Sequence, residues 1–210
     1  MNHAFKLLLA APLLWVLAAM PAHAQDAAAG EKKAAMCIGC HGIPRYQSSF
    51  PEVYKVPLIS GQNAKYIAAA LAAYKKGERR HPTMRAIAGS LTDQDMADLG
   101  AYYEKNEAHL VKPVADTGAA AAPAAVAALL TKGACASCHG AYPKIAGQYA
   151  DYLYAALRAY GTDGNPNVGR ANPVMAAQVK QFKRAELKAI ADYLATLPGD
   201  MHTVPLHRFR

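Results

Sequence analysis

The chain contains the stretch Cys37-Ile38-Gly39-Cys40-His41-Gly42, and the same pattern returns as Cys135-Ala136-Ser137-Cys138-His139-Gly140. Each copy has two cysteines three positions apart, with a histidine directly after the second. On a helix, positions i, i+3 and i+4 share one face, so both thiols and the imidazole of each copy project toward one bound group. The two stretches hold all four cysteines of the 210-residue chain.

This spacing is the attachment signature of a c-type haem, in which two thiols bond to the vinyl groups and the histidine coordinates the iron. The residues predicted to do so are Cys37, Cys40, His41, Cys135, Cys138 and His139. Disulfides, a thioredoxin-like redox pair and a four-cysteine zinc site are the alternatives that also use closely spaced cysteines. None of them explains a histidine after both pairs. Four thioether bonds would consume every thiol.

The repetition continues beyond the cysteines. Pro57-Leu58-Ile59-Ser60-Gly61-Gln62 returns as Pro143-Lys144-Ile145-Ala146-Gly147-Gln148. Further matching pairs are Tyr66 and Tyr152, Tyr74 and Tyr160, Arg79 and Arg170, Pro82 and Pro173, Met84 and Met175, and Tyr102 and Tyr193. The first copy carries a 12-residue excess between Gly42 and Gly61, and we expect this segment to fold over the first haem or the interface between the copies. The sequence therefore predicts one small domain written twice.

The expected layout is a leader at 1–24, a first domain at 25–112, an Ala/Pro-rich linker at 113–123 and a second domain at 124–210. Apolar residues recur at helical spacing, and no segment alternates as a strand would. The predicted helices are 27–36, 62–76, 93–104, 124–132, 148–160 and 184–197. Each copy is then an all-helical domain so small that a central cofactor would have to complete its core.

The leader combines Lys6, an apolar run over 7–20 and small residues at Ala22 and Ala24. These features predict a secretory signal peptide cleaved after Ala24. A transmembrane anchor is the alternative, but the run is shorter than the roughly 20 residues that cross a bilayer, and Pro12 interrupts it. We expect an exported protein, periplasmic in a Gram-negative cell.

Met84 and Met175 occupy matching positions and are the predicted sixth iron ligands, whereas Met96 matches Leu187 on a helix face and is assigned to core packing. A thioether favours reduced iron, and histidine/methionine ligation raises the haem potential. His81 is the rival ligand in the first copy, although its counterpart is Asn172, which cannot serve.

Two further pairs are expected around the haems. The carbonyls of Pro57 and Pro143 can accept the second ring N–H of each ligand histidine. Arg79 and Arg170 can pair with haem propionates. The plainer interpretations are loop-forming prolines and solvated arginines, and the repetition favours the functional ones.

The chain has 23 Lys and Arg against 15 Asp and Glu, a formal charge of +8, and 18% charged residues. The basic excess forms no dense block, which argues against a disordered chain and against binding to nucleic acid. It would instead steer docking toward an acidic protein partner.

Taken together, the two C-x-x-C-H-G motifs, the two P-x-I-x-G-Q elements, the paired methionines and the closing helices with Tyr102 and Tyr193 resemble the dihaem class I cytochromes c of the cytochrome c-four type. The resemblance covers the whole mature chain. It implies two tandem class I cytochrome c domains, each a small helical bundle around a covalently bound haem, with propionate edges facing across the interface. It also implies a periplasmic carrier between a quinol-oxidising complex and a terminal oxidase.

Three functions compete. The first is a carrier of single electrons, since two six-coordinate irons offer no vacant site for a substrate. The second is the cytochrome subunit of a flavoprotein or quinoprotein dehydrogenase, for example a sulfide-oxidising one, and the sequence does not separate it from a free carrier. The third is a catalytic dihaem enzyme such as a peroxidase, which the paired methionines and the lack of a spare cysteine disfavour. Membrane association and oligomeric state stay open.

Overall fold

The computed structural model describes residues 24–105, 121–139 and 142–204, and ten helices contain just over half of these residues. In the first copy they are α1 (Ala27–Lys33), α2 (Ala35–His41), α3 (Ala64–Lys76), α4 (Pro82–Gly89) and α5 (Asp93–Lys105). In the second copy they are α6 (Ala124–Lys132), α7 (Ala136–His139), α8 (Ala150–Ala159), α9 (Pro173–Val179) and α10 (Arg184–Thr196). The short strands are β1 (Gln47–Ser48), β2 (Tyr54–Lys55), β3 (Arg79–Arg80) and β4 (Gly169–Arg170).

The predicted helical fold is confirmed, with small differences at the ends of elements. The helix expected over 62–76 begins at Ala64, because the Asn63 side chain caps it by accepting from the Tyr66 N–H. The helix expected over 27–36 is divided at Ala34 into α1 and α2. The strands are only two residues long, too short to give an alternating pattern. The predicted leader at 1–24 and linker at 113–123 lie almost wholly outside the described residues.

The core of the first domain forms where α5 packs against α1 and α3. Leu99 is 1% exposed and Met96 2% exposed on the inner face of α5. Gly30 allows α1 to cross α5 closely, since a Cβ there would lie 2.1 Å from the Asp98 carbonyl oxygen. Met96, which the sequence assigned to packing rather than to iron, is part of this core.

The second domain repeats the arrangement with α10 packed against α8 and α6. Its core contains Leu153, Ile190, Ala191 and Leu194. Of these, Ala191 has no exposed surface and Ile190 is 3% exposed.

The two domains meet through contacts that are nearly symmetric. Gln62 donates from Nε2 to the Lys144 carbonyl at 2.9 Å and accepts from the Lys144 N–H at 3.0 Å. Gln148 makes the equivalent pair of hydrogen bonds to Leu58, also at 2.9 and 3.0 Å. Both amides reach the buried Met201 sulfur, at 3.3 and 3.6 Å. The repeated glutamines thus join one copy to the other.

Within the described residues, no helix combines the length and apolar character that a membrane crossing requires.

Candidate haem sites

The first cysteine motif lies on α2, where helical spacing places Cys37, Cys40 and His41 along one wall of a cavity. The His41 Nδ1 lies 2.9 Å from the Pro57 carbonyl oxygen. Burial lowers the pKa of His41, and the positive charge of Arg79 acts in the same direction. A neutral ring that donates through Nδ1 keeps the Nε2 lone pair for a metal.

The second motif is built on the shorter helix α7, with Cys135 directly before it and His139 as its last residue. The His139 Nδ1 lies 3.2 Å from the Pro143 carbonyl oxygen. Both motif histidines therefore contact the proline that the repetition nominated for them. Cys138 is exposed and does not line the cavity, unlike the other three cysteines.

One largely apolar cavity of about 390 Å³ extends between the two domains. Its lining brings together eleven of the twelve site residues predicted from the sequence: Cys37, Cys40, His41, Pro57, Arg79, Met84, Cys135, His139, Pro143, Arg170 and Met175. Its other walls are mainly aliphatic and aromatic side chains of α3, α8 and α10. The two sites predicted in separate copies therefore open into one space.

The cysteines show none of the features of the alternative sites. All four are described, and none forms a disulfide. Burial raises the pKa of Cys37 and Cys135, whereas a redox-active C-x-x-C motif depends on a lowered thiol pKa. In the described ranges, no group of three or more His, Cys, Asp or Glu side chains is placed to hold a metal ion, so the cysteines do not converge on a zinc site.

The two methionines begin matching helices in the same way. Met84 lies in the first turn of α4, after Pro82, and its N–H donates to the His81 Nδ1 at 3.4 Å. Met175 lies in the first turn of α9, and its N–H donates to the Asn172 Oδ1 at 3.0 Å. His81 therefore performs the capping role of its counterpart, which explains why histidine and asparagine exchange there.

Arg79 and Arg170 stand opposite each other in the antiparallel pair β3–β4, which joins the two domains. Among the described residues, neither guanidinium pairs with a carboxylate. They contact tyrosines instead: Arg79 lies 4.5 Å from the centre of the Tyr74 ring, and Arg170 lies 5.4 Å from that of Tyr160. The buried Arg79 Nε has no hydrogen-bond partner among the described residues.

Comparison with known proteins identifies the family. A Cytochrome c family model matches residues 123–198. Cytochrome c4 of Azotobacter vinelandii is 31% identical over 205 residues, covering 84% of this chain and 91% of that protein. The chain belongs to the cytochrome c4 family. A thiosulfate dehydrogenase electron acceptor of Stutzerimonas stutzeri is 30% identical, covering 80% of this chain and 82% of that protein. The cytochrome c4 structure of Acidithiobacillus ferrooxidans aligns with a TM-score of 0.59 at 25% identity, covering 78% of this chain and 99% of that one.

Cytochrome c4 membership confirms the predicted two-domain helical fold and the covalently bound c-type haems, two per chain in this family. It also confirms an electron carrier rather than an enzyme.

The residues present suit such a cofactor. Arg79 is buried and Arg170 is half-buried beside it, so the two like charges are costly without an anion, and the unpartnered Arg79 Nε–H adds to that cost. Haem propionates would supply the missing carboxylates to Arg79 and Arg170, with the guanidinium fork matched to their shape. The apolar remainder of the cavity suits a porphyrin face.

Several residues at the site had no role predicted from the sequence. Gln62 and Gln148 end the repeated P-x-I-x-G-Q elements and make the interdomain hydrogen bonds. Tyr66 and Tyr152 repeat as well, and both hydroxyls accept a hydrogen bond from the buried Arg79. Their recurrence in both copies was the signal that could have singled them out.

The 12-residue excess of the first copy forms a hairpin, 47–55, in which β1 pairs with β2. The hairpin crosses to the second domain and lies against α8. Lys55 forms an ion pair with Asp151 at 2.9 Å, and Glu52 forms one with Arg158 at 2.6 Å. Of the two locations expected for the excess segment, the interface is where the hairpin makes its ion pairs.

Proposed function

We propose that this cytochrome carries single electrons in the periplasm through two haems, one ligated by His41 and Met84 and the other by His139 and Met175. The observation that carries the proposal is the shared cavity, whose lining contains both motif histidines and both methionines. When bound, c-type haem supplies reversible one-electron chemistry at iron.

The protein's own residues set the conditions for that chemistry. The Pro57 and Pro143 carbonyls fix the ring orientation of the two histidines, which leaves their second nitrogen for iron. His81 and Asn172 fix the first turn of the helices that carry the methionines. Each proposed ligand residue is thus held by a hydrogen bond within the protein itself.

The ligand assignment is tested by Met84→Ala and Met175→Ala in the purified holoprotein. Near-infrared magnetic circular dichroism reports methionine coordinated to ferric haem. Each variant should lose about half of the methionine signal, since each removes one of two equivalent ligands. Met36→Ala is the matched control, because Met36 also lines the cavity but directly precedes Cys37 and cannot reach the opposite side of the ring. A full methionine signal in Met84→Ala would refute this ligand set.

The donor is proposed to be a quinol-oxidising complex or a dehydrogenase, and the acceptor a terminal oxidase. The formal charge of +8 favours an acidic docking surface on the partner. A specific observation favours the dehydrogenase: the relative named as a thiosulfate dehydrogenase electron acceptor aligns over 80% of this chain. Acting as the electron-accepting partner of such an enzyme is therefore the second candidate function.

Stopped-flow reduction separates these donors. The oxidised holoprotein is mixed with a quinol-oxidising complex and quinol, or with a thiosulfate dehydrogenase and thiosulfate, at several salt concentrations. The physiological class of donor should reduce the protein rapidly, and the rate should fall steeply with added salt. Rapid reduction only by the dehydrogenase selects the second candidate. Slow, salt-independent reduction by both contradicts the proposed partners.

Export is proposed from the leader at 1–24. The mature protein recovered from a periplasmic fraction should begin at Gln25, and N-terminal sequencing measures this directly. Recovery of the uncleaved chain from the membrane fraction would contradict it.

A further inference from the structure

Tyr152 lies between Arg79 of the first domain and Arg170 of the second. The Arg79 Nη2 donates to the Tyr152 hydroxyl oxygen at 2.7 Å, and the Arg170 Nη2 donates to the same oxygen at 3.1 Å. Arg79 belongs to the first domain and Arg170 to the second, and β3–β4 pairing holds their backbones opposite each other. A single oxygen therefore receives a charged hydrogen bond from each half of the molecule.

The repeat shows that this position is not symmetric. Tyr66 is the counterpart of Tyr152, and among the described residues its hydroxyl accepts a hydrogen bond from Arg79, at 3.5 Å, but not from Arg170. The Tyr66 ring packs edge-on against Tyr142, with 5.7 Å between ring centres. The Tyr152 ring lies 6.0 Å from Tyr54, which comes from the hairpin 47–55 that only the first copy possesses. The hairpin thus packs against the tyrosine that joins the two arginines.

The chemistry of the phenol suits this position. Its oxygen has two lone pairs, and two guanidinium N–H groups occupy them, so the O–H is left to donate elsewhere. Although burial alone would raise the pKa of Tyr152, the charges of Arg79 and Arg170 lower it to about 8. The partial negative charge of the hydroxyl oxygen thus faces both guanidinium groups.

We propose that Tyr152 is a positioning residue that couples the two haem sites, because its one oxygen fixes an arginine of each domain. This inference rests on the proposed function, in which Arg79 and Arg170 face the propionates of the two haems. A fixed positive charge near a haem favours the reduced iron, since oxidation adds positive charge. A change at the Tyr152 hydroxyl therefore removes a hydrogen bond to the arginine of each domain, whereas a change at Tyr66 removes one to the first-domain arginine only.

The experiment is a redox titration of the holoprotein, followed by absorption, for the wild type, Tyr152→Phe and Tyr66→Phe. Met84→Ala and Met175→Ala assign each wave to a domain. Tyr152→Phe removes the shared acceptor and leaves both arginine charges less compensated, so both midpoint potentials should shift upward. Tyr66→Phe is the matched control: it removes a hydrogen bond to Arg79 only, so it should shift the potential of the first-domain haem more than that of the second.

A thermodynamic cycle tests the same coupling through a second variant. In an Arg170→Gln background, Tyr152→Phe should shift only the first-domain potential, because the second link is already broken. Thermal unfolding of each variant verifies that the fold is retained. In a variant that stays folded, a shifted midpoint potential reports a changed field at the haem rather than a loss of structure. An unchanged pair of potentials in Tyr152→Phe, or a shift in one haem alone, overturns the coupling. A wild-type protein without two one-electron waves would instead refute the proposed function, so the two failures are distinguishable.

Discussion

The two domains hold their motif histidines by the same contact, but loops of very different length supply it. His41 reaches a proline carbonyl 16 residues away, whereas His139 reaches one only 4 residues away. The extra 12 residues in the first domain form the hairpin, which binds the second domain through Lys55 and Glu52. Both copies therefore keep the same contact around the motif histidine, and the longer loop of the first copy also joins the two domains.

The largest expected effect tests whether the two cores are equivalent. Leu99 and Ile190 occupy matching positions of the repeat and are 1% and 3% exposed. Leu99→Ala and Ile190→Ala should each lower the free energy of unfolding by about 2–5 kcal/mol, because each leaves a cavity in a packed core. Denaturant unfolding measures both.

Val53→Ala is the control for the core variants, since Val53 is 68% exposed. It should change the free energy of unfolding by no more than about 0.5 kcal/mol. An Ile190→Ala cost as small as this control would show that the second domain lacks an equivalent core.

An intermediate effect is expected at the helix caps before the methionines. His81→Ala and Asn172→Ala should each cost about 0.5–2 kcal/mol, because each removes the side chain that accepts from a methionine N–H. His81→Asn should restore the stability, since asparagine performs this role in the second domain. Denaturant unfolding gives the energies, and absorption spectra monitor the haems. A His81→Asn variant with an altered haem spectrum would indicate that His81, the rival ligand, binds iron.

The smallest effect concerns the hairpin. A double-mutant cycle on Lys55→Ala and Asp151→Asn should give about 0.2–1 kcal/mol, as expected for a partly exposed ion pair. Burial opposes the ionised form of Asp151, but its hydrogen bonds with Lys55 lower the pKa below the ordinary value. The contribution is therefore present at neutral pH and is lost as the pH falls below about 3.9.

A cycle on Lys188 and Asp192, an exposed pair within α10, is the control for the hairpin. Both cycles report an ion pair, but only the hairpin pair joins the two domains. Because the pair contributes little and other contacts also join the domains, calorimetry should show a small loss of cooperativity in the hairpin variants and none in the control. Identical calorimetric profiles would show that the hairpin does not hold the domains together.

Local spacing made much of this protein predictable. The C-x-x-C-H motif specifies its own chemistry, and helical periodicity located α5 and α10 within one residue of their observed ends. Comparing the two copies also assigned Met96 to the core, where the structure places it, while the assignment of Met84 and Met175 to iron stays a prediction. Each of these features depends on a short segment of the sequence, or on one segment and its repeat.

The contacts between the domains were beyond reach of the sequence. The hydrogen bonds from Arg79 and Arg170 to Tyr152 join residues that are distant in the chain or in separate domains. Their geometry depends on how two folded bodies dock, which no local periodicity encodes. The sequence shows the hairpin only as a difference in length between the two copies. It does not show that the hairpin packs against α8.

The central claim is that each C-x-x-C-H motif holds one redox-active haem and that both sites belong to one electron carrier. A spectroelectrochemical titration of the purified full-length holoprotein tests it most directly. We expect two electrons per chain, taken up in two one-electron waves. Met84→Ala and Met175→Ala should each lower the midpoint potential of a different wave by on the order of 100 mV, within the range that axial ligands span. One electron per chain, or the same wave displaced by both variants, would contradict it.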